Sequence, residues 1–147
     1  MSFFQGKFLL NFLIKLLKRP STYWANFELC SSLQLSEFID LLLEPINSSQ
    51  YKYRIKLGLH EALINAVTHG NKLDPKKSIR VRRIITPNWC VWQIQDQGKG
   101  LEIKKRNYNL PDEISSVNGR GLFIINECFD DIRWSNKGNR LQLALKR

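Results

Sequence analysis

One stretch, Leu59-His60-Glu61-Ala62-Leu63-Ile64-Asn65-Ala66-Val67-Thr68-His69-Gly70-Asn71, constrains what this chain can fold into more than any other. Residues three and four apart share a helical face, so Glu61, Asn65 and Thr68 fall in line with His69 beside them. Leu59, Leu63, Ala66 and Val67 take the opposite side and form an apolar back. The helix must therefore pack on a core while presenting a carboxylate, a carboxamide and a hydroxyl in a row. A row that only met water would be filled by Lys, Gln or Glu, because Asn is a poor helix former. Taken alone, the stretch leaves a plainer reading open, a solvated stripe closed by Gly70-Asn71 as a left-handed C-terminal stop.

The chain has 147 residues, a length suited to one domain with a proper core, and 43% of them are hydrophobic and 24% charged, as in a globular protein. Its formal charge of +10 predicts attraction to something acidic without choosing among nucleic acid, an anionic membrane, nucleotide phosphates or an acidic protein. Cys30, Cys90 and Cys128 are odd in number, far apart and without a Cys-x-x-Cys pair, which predicts reduced thiols in a cytoplasmic protein and argues against structural zinc.

Two parts are expected, an amphipathic basic N-terminal segment over 1–20 and a folded domain over 21–147. In the first, Phe8, Leu9, Phe12, Leu13, Leu16 and Leu17 recur at helical spacing with Lys7, Asn11, Lys15 and Lys18 between them. The apolar run is too short and interrupted to span a bilayer, and neither an early charge nor a small-residue cleavage site marks a signal peptide. Docking on the domain or on a dimer partner ranks first, contact of residues 2–19 with a membrane surface second, and a loosely ordered tail third.

Further along, Tyr23, Trp24 and Phe27 predict a first strand over 23–30. A helix over 33–43 follows, capped by Ser31 or Ser32 and closed by Pro45. The polar-faced helix is expected over 51–69, with strands over 78–86 and 89–96 after it. Alternation puts Trp92, Ile94 and Asp96 on one face, so a carboxylate points the way the core points and needs a donor. Asp96-Gln97-Gly98-Lys99-Gly100 allows a tight turn or close approach to a ligand, yet it is no dinucleotide fingerprint, because Ile103 stands where the third glycine belongs. Residues 101–118 read as a long, lid-like loop. Gly119-Arg120-Gly121-Leu122 then opens a helix over 122–129, where free amides, bare glycines and an arginine suit a phosphate. A strand over 131–134, a hairpin at 136–139 and a last strand with Leu141, Leu143 and Leu145 inward complete the chain.

A helix with Glu-x-x-x-Asn, a strand ending in Asp-x-Gly-x-Gly, and a Gly-x-Gly helix entry after a loop occur here in a fixed order. Together they resemble the GHKL-type (Bergerat) ATP-binding fold of gyrase, histidine kinases and mismatch-repair ATPases. Within it the chain resembles the bacterial anti-sigma-factor serine/threonine kinases, through Glu61 to Asn71, Asp96 to Gly100 and Gly119 to Ile125. The resemblance covers about residues 23–147 and implies an α+β, two-layer sandwich: a mixed, mostly antiparallel sheet covered on one face by helices. It further implies ATP and Mg2+ as cofactors, with Asn65 on the metal, Asp96 accepting from the adenine amino group, and Gly98 and Gly100 close to the base. Gly119, Arg120, Gly121 and Leu122 would hold phosphates, His69 would join the binding wall, and Glu61 would be the catalytic base.

The chain is too short for the extra domain of gyrase or mismatch-repair proteins, and His60 and His69 both lie in the nucleotide helix, which leaves no phosphoacceptor histidine. The resemblance thus implies an ATP-dependent protein serine/threonine kinase that switches between a sigma factor or similar regulator and an antagonist with a phosphorylatable serine, as a homodimer. The alternative is a non-catalytic, ATP-binding interaction module. Asn139 stands where the family usually carries Thr, which puts a hydroxyl contact near the phosphates in question. Nucleic-acid binding by Arg80-Val81-Arg82-Arg83 with Trp89 and Trp92 is disfavoured, because the two tryptophans fall on alternate faces.

Overall fold

A computed structural model describes residues 22–109 and 119–147. The N-terminal segment of 1–20 and the 110–118 part of the lid-like loop lie outside the described residues. Five strands form one sheet: β1 (Tyr23–Cys30), β2 (Ser78–Ile85), β3 (Trp89–Gln95), β4 (Asp131–Trp134) and β5 (Arg140–Lys146). Their order is β1-β2-β3-β5-β4, and every neighbouring pair is antiparallel. The expected mixture of strand directions is thus a purely antiparallel sheet within the α+β fold.

Alternation decides which face is covered. Ile79, Val81, Ile85, Cys90, Trp92, Ile94, Leu141, Leu143 and Leu145 point inward and are buried. Against them pack α1 (Ser36–Leu42), α2 (Ser49–Asn65) and α3 (Arg120–Cys128), through Ile39, Leu42, Ile55, Leu59, Leu63 and Ile125, all in one core. Arg80, Arg82 and Arg140 take the outer face and are exposed, whereas Arg83 and Trp92 go inward. The basic run is therefore split across the sheet, and two of the residues considered for nucleic-acid contact are core residues.

Helix α1 is held by the sheet at its end. No serine caps its start; Leu35 occupies that position, while Ser32 Oγ accepts from the Gln34 amide in a local turn. The end leaves carbonyls without helical partners. Arg83 Nη1 donates to the Leu41 carbonyl at 2.7 Å, and Trp92 Nε1 donates to the Leu42 carbonyl at 3.2 Å. Arg83 also lies over Phe27, its guanidinium carbon 5.4 Å from the ring centre.

Helices α2 and α3 meet in antiparallel fashion and very closely. A Cβ on Gly58 would lie 2.6 Å from both Cys128 Cβ and Phe129 Cε2. At the other end of the crossing, a Cβ on Gly121 would lie 3.1 Å from Asn65 Nδ2 and 3.3 Å from Glu61 Oε2. Small residues at both ends bring the start of α3 onto the polar line of α2.

Candidate functional site

The polar helix does not run as a regular α-helix to His69. It ends at Asn65 and widens into a π-helical turn, Ala66–Gly70, in which the Asn71 amide donates to the Ala66 carbonyl at 2.8 Å. Such single-turn π-bulges recur at functional sites. The wider turn places His69 on the wall of a cavity of about 890 Å³ to which Thr68 does not contribute. Asn71 is not a left-handed stop either: its φ is −81°, and the positive φ values fall on Lys72 and Leu73.

Asn71 is instead a fully buried clamp. Its Nδ2 donates to the Ser78 carbonyl at 3.0 Å, and its Oδ1 accepts from the Gln97 amide at 2.8 Å. One side chain thus ties the helical turn to the start of β2 and to the loop after β3. Gly70 then lies flat against Asp96, since a Cβ there would collide with that carboxyl, and a Cβ on Gly98 would collide with the Gly70 carbonyl. Neither contact is readable from local sequence pattern.

Asp96 follows β3 directly and is half-buried. Its Oδ1 accepts from the Gly98 amide at 2.7 Å. Burial raises its carboxyl above the usual range, opposed by the Gly98 amide and by the charges of Lys137 and Lys77. The expected need for a donor is met at Oδ1 by the Gly98 amide.

The neighbouring strand completes this end. Because β5 runs antiparallel beside β3, the hairpin that precedes it arrives at Asp96: the Asp96 amide donates to the Asn139 carbonyl at 3.0 Å, and Asn139 Nδ2 donates to the Asp96 carbonyl at 3.3 Å. Asn139 therefore steadies the aspartate end of the cavity, so the question of a missing hydroxyl contact belongs there rather than near α3. Gly138 and Gly100 both have positive φ, 78° and 92°, and a Cβ on Gly100 would collide with the Lys137 carbonyl. Arg106 pins the next segment, with Nε and Nη2 donating to the Leu101 carbonyl at 3.1 and 3.0 Å and the guanidinium 5.5 Å from the Trp134 ring centre.

The cavity wall includes Asn65, His69, Asp96, Gly98, Gly100 and Leu122 from the sequence reading. It also includes Gly70, which lies in the helical motif, and Lys77, Trp134, Lys137 and Gly138, which the sequence reading did not assign to the site. Glu61, Gly119, Arg120 and Gly121 are not part of this wall; Glu61 and Gly121 meet beside it, where Gly121 packs on Asn65, and the Glu61 side chain is 26% exposed. Gly119 precedes α3 with φ 93°, and among the described residues the helix start carries no side-chain cap. Gly119 and Arg120 are exposed, and Arg120 makes contacts of its own.

This arrangement can hold a nucleotide. The volume is that of a small-molecule site, Asp96 offers a carboxylate acceptor among close-packed glycines, and Asn65 offers a carboxamide beside Glu61 and the start of α3. No group of three or more His, Cys, Asp or Glu side chains suited to a metal occurs among the described residues. Asn65 lines the cavity with a carboxamide, whose single neutral oxygen is the kind of ligand Mg2+ takes when phosphates and water supply the others. Among the described residues, no helix is long and apolar enough to cross a membrane.

Residues 36–145 match the family described as the histidine kinase-like ATPase domain, and the chain belongs to that family. The fold is accordingly that of an ATP-binding, kinase-like ATPase domain. No curated protein matches the chain.

Proposed function

We propose that this chain is an ATP-dependent protein serine/threonine kinase of the anti-sigma-factor type, transferring the γ-phosphate to a serine of an antagonist protein. One observation carries the reading: the start of α3 packs through Gly121 on Glu61 and Asn65, one helical turn apart, and Asn65 and Leu122 line the same cavity as Asp96. Asp96 Oδ2 accepts from the adenine amino group, and Gly98 and Gly100 allow the backbone to close on the base. His69 and Leu122 belong to the wall of that cavity. The amides of Arg120, Gly121 and Leu122, entered through Gly119, hold phosphate oxygens, and Asn65 gives its carboxamide oxygen to Mg2+. Bound Mg2+ offsets negative charge on the transferring phosphoryl group.

Glu61 then accepts the proton of the partner's serine hydroxyl as its oxygen bonds to the γ-phosphorus. The bond from that phosphorus to the β–γ bridging oxygen breaks, and ADP leaves. Partner switching follows when phosphorylation changes the antagonist's affinity and a sigma factor or similar regulator takes its place, with a homodimer as the working form.

Calorimetry with ATP, with and without Mg2+, tests the site. Wild type is expected to bind in a Mg2+-dependent way, Asn65→Ala to lose that dependence, and Glu61→Gln to bind ATP while losing transfer of labelled phosphate to protein. Loss of ATP binding in a folded Glu61→Gln variant would remove the base from Glu61. Binding without transfer by the wild type, in extracts that contain its partners, would favour a non-catalytic ATP-dependent interaction module.

A further inference from the structure

The described surface carries an apolar groove that the nucleotide cavity does not use. It lies between the loop before α1 and the outer side of α2 and encloses about 760 Å³. Leu33 is 56% exposed there, Tyr53 79% and Leu57 41%. Large apolar side chains gathered on one face at such exposure mark a surface that something covers. Glu37, which lines the groove, and Glu44, two residues past the end of α1, are exposed and have no ion-pair partner among the described residues, whereas Asp40 between them is paired with Lys56 at 2.6 Å.

We propose that the occupant is the chain's own N-terminal segment, with residues 8–17 laid along the groove. Apolar match comes first. Phe8, Leu9, Phe12, Leu13, Leu16 and Leu17 recur at the spacing of one helical stripe, which suits a groove of this kind. Charge supports the same pairing, since residues 1–21 carry Lys7, Lys15, Lys18 and Arg19 and neither Asp nor Glu. The unpaired carboxylates of Glu37 and Glu44 face a segment with only positive charge.

Reach allows it as well. The described chain enters at Thr22 beside the first residue of β1, and Leu33 follows three residues after that strand's last residue, Cys30. The strand covers about 26 Å at an ordinary strand rise. Arg83, opposite Ala25 near the start of β1, bonds the Leu41 carbonyl, so the end of α1 lies back toward Thr22. Residues 18–22, extended, span up to about 17 Å to it, and residues 8–17 at a helical rise then cover about 15 Å along α1 toward Leu33.

The test cross-links the full-length chain with a zero-length carbodiimide, using an equal mixture of natural-isotope and nitrogen-15-labelled protein. The proposal expects links from Lys7, Lys15 or Lys18 to Glu37 or Glu44 within chains of one isotope. Their yield is expected to fall about tenfold in Leu57→Glu, which puts a charge against the apolar stripe. Should Leu57→Glu lose its helical circular dichroism, Tyr53→Glu at the more exposed position serves in its place. Links between the two isotopes would make the occupant a second copy and overturn the proposal. Unchanged yield in a folded variant would reduce the contact to charge alone and overturn it too. Absence of the links would overturn it as well, and co-sedimentation with phosphatidylserine vesicles would then assign the segment to a membrane surface.

Discussion

Asp96 shows what one residue gives up for a site. Burial lifts its carboxyl above the usual range, so the unliganded fold holds the charged form less favourably than the unfolded chain does. The sign follows: this cost is absent below the unfolded pKa, grows as pH rises toward the raised folded value, and is fully present above it. Asp96→Asn is therefore expected to stabilise the unliganded protein at pH 7 by up to about 1 kcal/mol while weakening ATP at least about tenfold. Thermal scans and calorimetry on one preparation check both. A variant that became less stable as well as unable to bind would mean that the carboxylate holds the loop rather than a ligand. In the wild type, ATP affinity is expected to fall as pH drops through the raised value, because a protonated Asp96 accepts poorly. Asn71 acts in the opposite sense. Its truncation to Ala removes the partner of the Gln97 amide and of the Ser78 carbonyl, both part-buried, and leaves a hole where Asn71 is fully buried, an expected loss of about 1–3 kcal/mol in urea unfolding with an unchanged slope. The sequence marks Asp96 clearly, as a carboxylate on an inward face. It does not mark Asn71, because the two groups that Asn71 joins lie 7 and 26 residues away.

At the scale of elements, the crossing of α2 and α3 sets the distance between the site's two motifs. Gly58 is in van der Waals contact with Cys128 and Phe129 and has no room for a side chain. Gly58→Ala is expected to cost about 1–3 kcal/mol, in spite of the better helix propensity of Ala, and guanidinium unfolding measures it. A gain in stability would show that the helices part easily and that Gly121 is not held against Asn65 and Glu61. Local signals placed these helices well, since apolar spacing marks their buried faces. Their ends were less legible. The expected serine cap on α1 is absent, with Leu35 at that position, and the side-chain bonds to this helix come instead at its other end, from Arg83 and Trp92 of the sheet. The regular helix expected through His69 gives way to a π turn whose geometry depends on Asn71 reaching two other elements.

For the whole molecule, the three cysteines sample the layers. Cys30 is exposed on the edge strand, while Cys90 in the sheet and Cys128 on α3 are buried, with thiols raised by desolvation. One thiol is expected to react promptly with Ellman's reagent at pH 8 and the other two only on unfolding. A second prompt reaction would reveal that the helix layer opens readily from the sheet. The same layering separates what was legible from what was not. The sequence by itself determined the element types, the inward faces of β3 and β5, and the candidates for site chemistry, Glu61, Asn65, Asp96 and the Gly119 to Leu122 entry. These are local quantities, set by side-chain period, propensity and the chemistry of single residues. The tertiary structure alone decided that every strand pairs antiparallel, that the Gly138 hairpin and Asn139 meet Asp96, that Gly70 and Asn71 shape the wall, and that Gly121 reaches Asn65. Those are distances between segments far apart in the chain, and they follow from closing one sheet and one helix layer around a single core.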